Sequence, residues 1–105
     1  MRVTQTTPMQ RSMHMPTFVR EIAMEPGDEQ RLAVRPAHRE YVHAMFAQGS
    51  IRMSGPLVGD AGAILVYSAP HEAAALELIA ADPYTQAEVV QEVSLREWTV
   101  VVPDS

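Results

Sequence analysis

His38 and Asp82 are the two side chains of this sequence whose positions could support acid–base chemistry. Counting about 100° per residue places His38 on one helical stripe with Tyr41 and Val42, so its imidazole is expected to face inward. Asp82 follows Ile79 at helical spacing, at the end of a second inward stripe, where a partly desolvated carboxylate needs a partner. A carboxylate that binds one imidazole nitrogen leaves the other nitrogen free to act as a general base. The pair therefore predicts a site that removes a proton from a small molecule.

Arg35 and Ser54 could hold a negatively charged substrate oxygen beside such a base. Arg35 lies on nearly the same side of the helix as His38, and Ser54 opens the tripeptide Ser54-Gly55-Pro56. Structural interpretations stay open beside this one. An inward histidine can be a satisfied core residue, and an aspartate before proline commonly ends a helix by bonding backbone N–H groups. The arginine can be solvated or ion-paired, and the tripeptide can simply end a strand.

The elements that would position these side chains follow the order strand, helix, strand, strand, helix, strand. The predicted strands are residues 17–24, 51–58, 63–68 and 89–102. The first predicted helix is residues 35–48, because Pro36 suits a first helical turn and Gly49 suits a C-terminal cap. The second helix opens at Pro70 and stops at Asp82-Pro83, and a short turn over residues 84–87 leads into the last strand.

Two periodicities predict how the first strand and the first helix are oriented. In the strand, Phe18, Arg20 and Ile22 lie on one side, opposite Val19 and Glu21. In the helix, apolar residues recur at helical spacing and form the side that is expected to face the core. This inward stripe is predicted to contain Tyr41, Val42, Met45 and Phe46.

With short connections, this order of elements predicts an α+β fold of the ferredoxin-like βαββαβ type. Such a fold has a four-stranded antiparallel sheet with both helices on one face. The other face of the sheet has nothing in this sequence to cover it. A second copy of the chain is the simplest cover, and twofold pairing is the commonest form of self-association. We therefore expect a homodimer.

Three motifs in register resemble the YciI-related (YCII) family over about residues 17–100. They are Arg35-Pro36-Ala37-His38, Ser54-Gly55-Pro56-Leu57 and Ala81-Asp82-Pro83-Tyr84, the last followed by a strand that reaches Trp98. The resemblance implies a dimeric α/β barrel with a cleft bordered by the histidine and the aspartate. It also implies chemistry on small ring compounds, such as isomerisation or elimination. Carried over to this sequence, the implied site residues are His38, Asp82, Ser54, Gly55, Pro56 and Tyr84.

Composition limits the remaining possibilities. The 105 residues carry a net charge of −5 and no cysteine, so we expect one domain over residues 16–102 after a flexible tail over residues 1–15. The lack of cysteine excludes a disulfide scaffold and a thiol nucleophile. The eight basic residues are all arginines and form no stripe, which argues against nucleic-acid binding. With no apolar run that could span a bilayer and no secretory signal, we expect a cytoplasmic protein with no membrane partner. The histidines lack metal-ligand spacing, so we expect neither a metal nor another cofactor.

Three functional hypotheses follow from these observations. The first is a small-molecule lyase or isomerase in which His38 is the general base, Asp82 orients it, and Arg35 or Ser54 binds a small anionic or ring-containing ligand. The second is a non-catalytic domain that binds a small ligand in the same cleft. The third is an accessory module whose role is dimerisation, and it predicts no open cleft.

Overall fold

Four strands and three helices make up the described part of the chain, residues 15–103 of a computed structural model. In chain order they are β1 (Thr17–Ala23), α1 (Glu29–Ala47), β2 (Ile51–Pro56), β3 (Gly62–Ser68), α2 (Glu72–Ala80), the one-turn helix α3 (Pro83–Gln86) and β4 (Gln91–Trp98). The predicted flexible tail over residues 1–15 lies outside this range, apart from Met15. No helix within residues 15–103 is both long and apolar enough to traverse a bilayer.

The four strands form one antiparallel sheet in the order β2-β3-β1-β4. The two central strands pair along the full length of β1, from Thr17 opposite Ser68 to Ala23 opposite Gly62. The first and last strands along the chain are neighbours, and each helical segment connects two strands. This is the ferredoxin-like βαββαβ arrangement, so the predicted α+β fold with a four-stranded antiparallel sheet is confirmed.

The two faces of the sheet differ in what covers them. Phe18 and Ile22 of β1 are 3% and 1% exposed, and the strand register places them opposite Tyr67 and Ala63. These four residues belong to a core cluster that also contains residues of α2 and is flanked by residues of α1, so this face carries the helices. Because side chains alternate along a strand, Arg20 points to the same helix-covered face.

Helix α1 begins at Glu29, earlier than the sequence predicted, because Asp28 caps it. The Asp28 carboxylate accepts a hydrogen bond of 2.9 Å from the backbone N–H of Arg31, which satisfies one of the free donors of the first turn. Pro36 therefore lies inside the helix, where it cannot donate the N–H that would bond the carbonyl of Leu32. The prediction that Pro36 begins the helix was wrong, and His38 lies in the middle of α1.

Four further differences separate the structure from the predictions. Strand β4 is confined to Gln91–Trp98 because its partner β1 offers backbone groups only from Ala23, opposite Gln91, to Thr17, opposite Trp98. Pro56 ends β2 at the sheet edge, where a residue without an N–H interrupts the ladder least. Phe46 is 60% exposed and does not belong to the inward stripe of α1. Residues 83–86, predicted as part of a turn, form α3 because Asp82 caps the backbone N–H of Tyr84.

We expect Gly62→Ala to destabilise the protein by about 1–3 kcal/mol, because close-packed sites do not accept an added methyl group without backbone movement. A Cβ at Gly62 would lie 2.9 Å from the backbone oxygen of Ile22 on the paired strand β1. Gly55→Ala is the matched control, since a Cβ there has no neighbour within 4 Å. Urea unfolding should leave the control within about 0.5 kcal/mol of wild type. Equal losses of stability in the two variants would contradict the close approach of position 62 to the Ile22 backbone oxygen.

Candidate active site

Arg20 is the buried centre of the polar cluster on the helix-covered face of the sheet. Its side chain is fully buried, and all five of its N–H donors are used. Nε and Nη2 donate to the two carboxylate oxygens of Glu92 on β4, and Nη2 also donates to the Thr85 hydroxyl at 3.0 Å. Nη1 donates to the Tyr67 hydroxyl and to Asp82 Oδ2, each at 2.9 Å. One guanidinium thereby ties β1 to β3, β4, α3 and the loop before α3.

The charges in this cluster are fixed at neutral pH. Burial on its own lowers the pKa of Arg20, but the hydrogen bonds that it donates to Glu92 and its interactions with Tyr67 and Asp82 outweigh burial and hold that pKa above its usual value. Burial raises the pKa of the Tyr67 hydroxyl, which therefore stays neutral. Arg20 is thus a cation that faces two carboxylates, those of Asp82 and Glu92.

His38 and Asp82 are in direct contact. Nδ1 of the imidazole lies 2.7 Å from Oδ1 of Asp82, and the same oxygen accepts the backbone N–H of Tyr84 at 2.9 Å. Burial alone raises the pKa of Asp82, but the hydrogen bond and charge of His38, the Tyr84 N–H and Arg20 together hold it below its usual value. An ionised carboxylate only accepts hydrogen bonds, so Nδ1 carries the hydrogen and donates it. Within residues 15–103, Nε2 of His38 has no hydrogen-bond partner.

Tyr84 fixes the plane of the imidazole ring. Its ring stacks on that of His38 with centroids 3.8 Å apart and an interplanar angle of 5°. The Asp82 hydrogen bond sets the direction of the ring in its plane, and the stack sets the plane itself. On the neighbouring turn of α1, the Tyr41 hydroxyl donates to the Leu78 carbonyl at 2.7 Å, which ties α1 to α2. The imidazole is therefore held in one orientation.

A pocket of about 310 Å³ opens beside the imidazole, between α1 and the edge formed by β2 and β3. The structure brings most of the predicted site residues to its wall: His38 and Arg35 from α1, residues 54–56 from the end of β2, and Tyr84 from α3. Asp82 does not line the pocket but lies behind His38, fully buried. A volume of this size is at the lower end for small-molecule sites. The arrangement places a fixed histidine at the wall of a cleft large enough for a small ring compound.

Arg20 was missed as a candidate site residue, although its position carried a signal. The alternation along residues 17–24 placed it on the apolar side with Phe18 and Ile22, and a charge on the core side of a strand needs a buried partner. Its acceptors lie far away in the sequence, so their identity was not predictable. Among residues 15–103, no group of three or more His, Cys, Asp or Glu side chains is placed to hold a metal ion.

The loop between β2 and β3 is held against α1 by a second arginine. Arg31 is 1% exposed, and its Nη2 donates to Asp60 Oδ2 at 2.9 Å and to the Glu25 carbonyl at 3.2 Å. Its buried Nε has no partner in the described part of the chain. Asp60 has a φ of 62°, an uncommon conformation for a residue other than glycine, so this ion pair helps to fix the loop.

Comparison with known sequences and structures gives the family. The sequence model of the YCII-related domain matches residues 13–99, most of the chain. The protein belongs to the YCII-related domain family. That membership agrees with the motifs around His38 and Asp82, and no curated protein sequence matches the chain.

Among solved structures, this YCII-related chain is similar to 5-chloro-2-hydroxyhydroquinone dehydrochlorinase from Burkholderia phenoliruptrix, which was solved in complex with 2,5-dihydroxybenzoquinone. The TM-score is 0.68 and the sequence identity is 22%, over 79% of this chain and 93% of the other chain. At this level of identity the likeness establishes a shared fold.

We expect the stability that Asp82 contributes to depend on pH. Its pKa is lower in the folded protein than in the unfolded chain, so its contribution is complete above about pH 4 and is lost as the pH falls through the folded-state value. Asp82→Asn should therefore be clearly less stable than wild type at neutral pH, and the difference should shrink in acid. Urea unfolding of both proteins across a pH series measures this difference. A difference that does not change with pH would contradict the ionised contact with His38 and Arg20.

Proposed function

We propose that this YCII-related protein is a small-molecule lyase or isomerase in which His38 is the general base. The observation that carries the proposal is the 2.7 Å contact between His38 Nδ1 and Asp82, made by an imidazole that also lines the pocket. Because Nδ1 is occupied by the carboxylate, Nε2 is the nitrogen available to take a proton from a ligand. Tyr84 and Asp82 hold the ring so that no reorientation is needed at the moment of transfer.

The proposed step removes a proton from a carbon next to a carbonyl group. Nε2 takes the proton, and the electron pair of the broken C–H bond moves onto the carbonyl oxygen, which becomes an enolate. Arg35 or the hydroxyl of Ser54 stabilises the charge on that oxygen. Asp82 stabilises the imidazolium through Nδ1–H. Return of the proton at another atom gives isomerisation. Departure of a leaving group with its electron pair from the adjacent carbon gives elimination.

Two further facts support this class of reaction. The structurally similar protein is named a dehydrochlorinase, and its ligand is a small dihydroxybenzoquinone. The pocket of the present chain has an apolar floor, formed by Ala63 and Leu65 of β3, below the polar wall of α1. A floor of this kind suits a small ring whose polar substituents face the arginine and the histidine.

Exchange of carbon-bound hydrogen tests the proposal without knowledge of the natural substrate. We expect the protein to accelerate deuterium uptake from D₂O, followed by ¹H NMR, for at least one member of a panel of cyclic hydroxyketones, lactones and hydroxyquinones. His38→Ala should lose this acceleration by at least about 100-fold, the typical contribution of a general base. His38→Gln keeps a hydrogen-bond donor for Asp82 and tests the same loss if the alanine variant unfolds.

The matched control is His71→Ser. His71 is exposed, caps α2 through its side chain and is not part of the pocket wall, and serine can take over the capping role. The control should exchange at the wild-type rate. If no panel compound exchanges in any variant while ligands raise the melting temperature, the pocket serves binding and the second hypothesis of the sequence analysis replaces catalysis.

We also propose that the protein is a homodimer that pairs through the sheet face opposite the helices. Register and alternation place the half-buried Val19 and Ile64 on this face, and no helix of residues 15–103 covers it. Met53 on β2 and Trp98 on β4 extend the apolar surface toward the two edges, and they are 62% and 50% exposed. A second copy would remove this surface from water, which is favourable.

The double variant Met53→Glu with Trp98→Glu should shift the dimer to a monomer, because it places four carboxylates across a symmetric interface. Light scattering coupled to size-exclusion chromatography measures the molar mass. Phe46→Glu is the control, since Phe46 is 60% exposed on α1 and should leave the mass unchanged. A monomeric wild-type protein at all concentrations would refute the pairing.

A further inference from the structure

Three arginines of α1 lie along the pocket wall at intervals of one helical turn. Arg31, Arg35 and Arg39 all line the pocket beside His38. Residues four apart lie on one face of a helix, so the three guanidiniums form a row parallel to the cleft. From the sequence, Arg35 alone of these three was predicted to contact the reacting oxygen. To stabilise a single developing negative charge, a site does not need three guanidiniums.

The row is not neutralised by the protein itself. Asp60 supplies the single carboxylate among the described lining residues, and it is paired with Arg31. Arg35 and Arg39 have no ion pair or hydrogen bond with any residue of the described chain. Three guanidiniums against one carboxylate leave the wall with a surplus of positive charge, in a protein whose net charge is −5. A cleft of one sign with apolar walls concentrates ligands of the opposite sign.

Arg31 gives the row its fixed end. It is 1% exposed and paired with Asp60, and its buried Nε has no partner in the described part of the chain. Arg35 is half-buried and Arg39 is exposed, so their guanidiniums can reach a ligand that enters from solvent. The uncompensated positive charge of the wall therefore lies toward the mouth, at Arg35 and Arg39.

We propose that the substrate is a small ring compound that bears a carboxylate, and that Arg35 and Arg39 bind this group at the mouth of the pocket. This assignment rests on the proposed function, since it leaves His38 to act on a carbon deeper in the cleft and Ser54 to stabilise the enolate oxygen. Planar guanidiniums bind carboxylates through two parallel hydrogen bonds, which fixes orientation as well as affinity. The apolar floor at Leu65 receives the ring, and a volume of about 310 Å³ is sufficient for a single small ring compound.

Binding of matched aromatic probes tests the assignment on the full-length protein. Benzoate, benzamide and phenyl phosphate share the ring and differ in the group attached to it, which is a carboxylate, a neutral amide or a phosphate. In NMR titrations we expect benzoate to bind at least about tenfold more tightly than benzamide, as a charge-assisted contact should. Added salt should weaken benzoate binding and leave benzamide binding unchanged, because exposed charges are screened.

Two variants locate the site. Arg35→Gln and Arg39→Gln should each weaken benzoate binding by at least about fivefold, with benzamide affected less than twofold. Ala73→Glu is the control: it changes the net charge by the same amount, on an exposed position of α2 outside the pocket wall, and should leave benzoate binding unchanged. Equal affinity for benzoate and benzamide, or no effect of either arginine variant, overturns the carboxylate assignment. Tighter binding of phenyl phosphate than of benzoate overturns it in favour of a phosphate.

These outcomes are separable from failure of the proposed reaction. His38→Ala should still bind benzoate, because the base does not contact the carboxylate. Loss of hydrogen exchange with benzoate binding intact would refute the base and keep the subsite. Hydrogen exchange on neutral ketones, without any preference for compounds that bear a carboxylate, would keep His38 as the base and refute the carboxylate subsite.

Discussion

The buried guanidinium of Arg20 is the interaction on which both the fold and the site depend. Hydrogen bonds and ion pairs offset the cost of taking a cation out of water, and the acceptors of Arg20 come from β3, β4, α3 and the segment before α3. If these elements separated, the guanidinium of Arg20 would lose its acceptors. Because one acceptor is Asp82, the same constraint positions the carboxylate that holds His38. The scaffold and the candidate catalytic pair are therefore one polar network.

The charges of that network also determine the electrostatic environment of His38. Arg20 alone would neutralise Asp82 and leave little attraction for an imidazolium. Glu92 binds the other side of the guanidinium and supplies a second negative charge. The cation is thus shared between two carboxylates, and the cluster as a whole keeps one negative charge next to the histidine. The Asp82 carboxylate that faces His38 thus belongs to a network of two carboxylates and one guanidinium.

Much of the fold was predictable from the sequence, because local rules determine it. Alternation predicted β1, an apolar and β-branched run predicted β3, and the inward stripes predicted that His38 and Asp82 face the interior. The start of α1 was not predicted, since the signal of Pro36 was weighed above that of Asp28, and Pro36 lies within the helix at an exposed position. The length of β4 was overestimated because a strand ends where its partner ends, which is a tertiary fact. Arg20 needs acceptors up to 72 residues away, and no local pattern contains that information.

The stack of Tyr84 on His38 has a stereochemical consequence. One face of the imidazole is covered by the phenol ring, 3.8 Å away, and the nitrogen that faces Asp82 is occupied. The lone pair of Nε2 lies in the ring plane and points in one fixed direction. In the proposed reaction, a carbon acid that the pocket holds in one orientation therefore presents a single prochiral hydrogen to this lone pair, and a proton returned by the same nitrogen arrives on the same side of the molecule. The rigidity of the imidazole thus adds stereochemical discrimination to the contacts that orient the substrate.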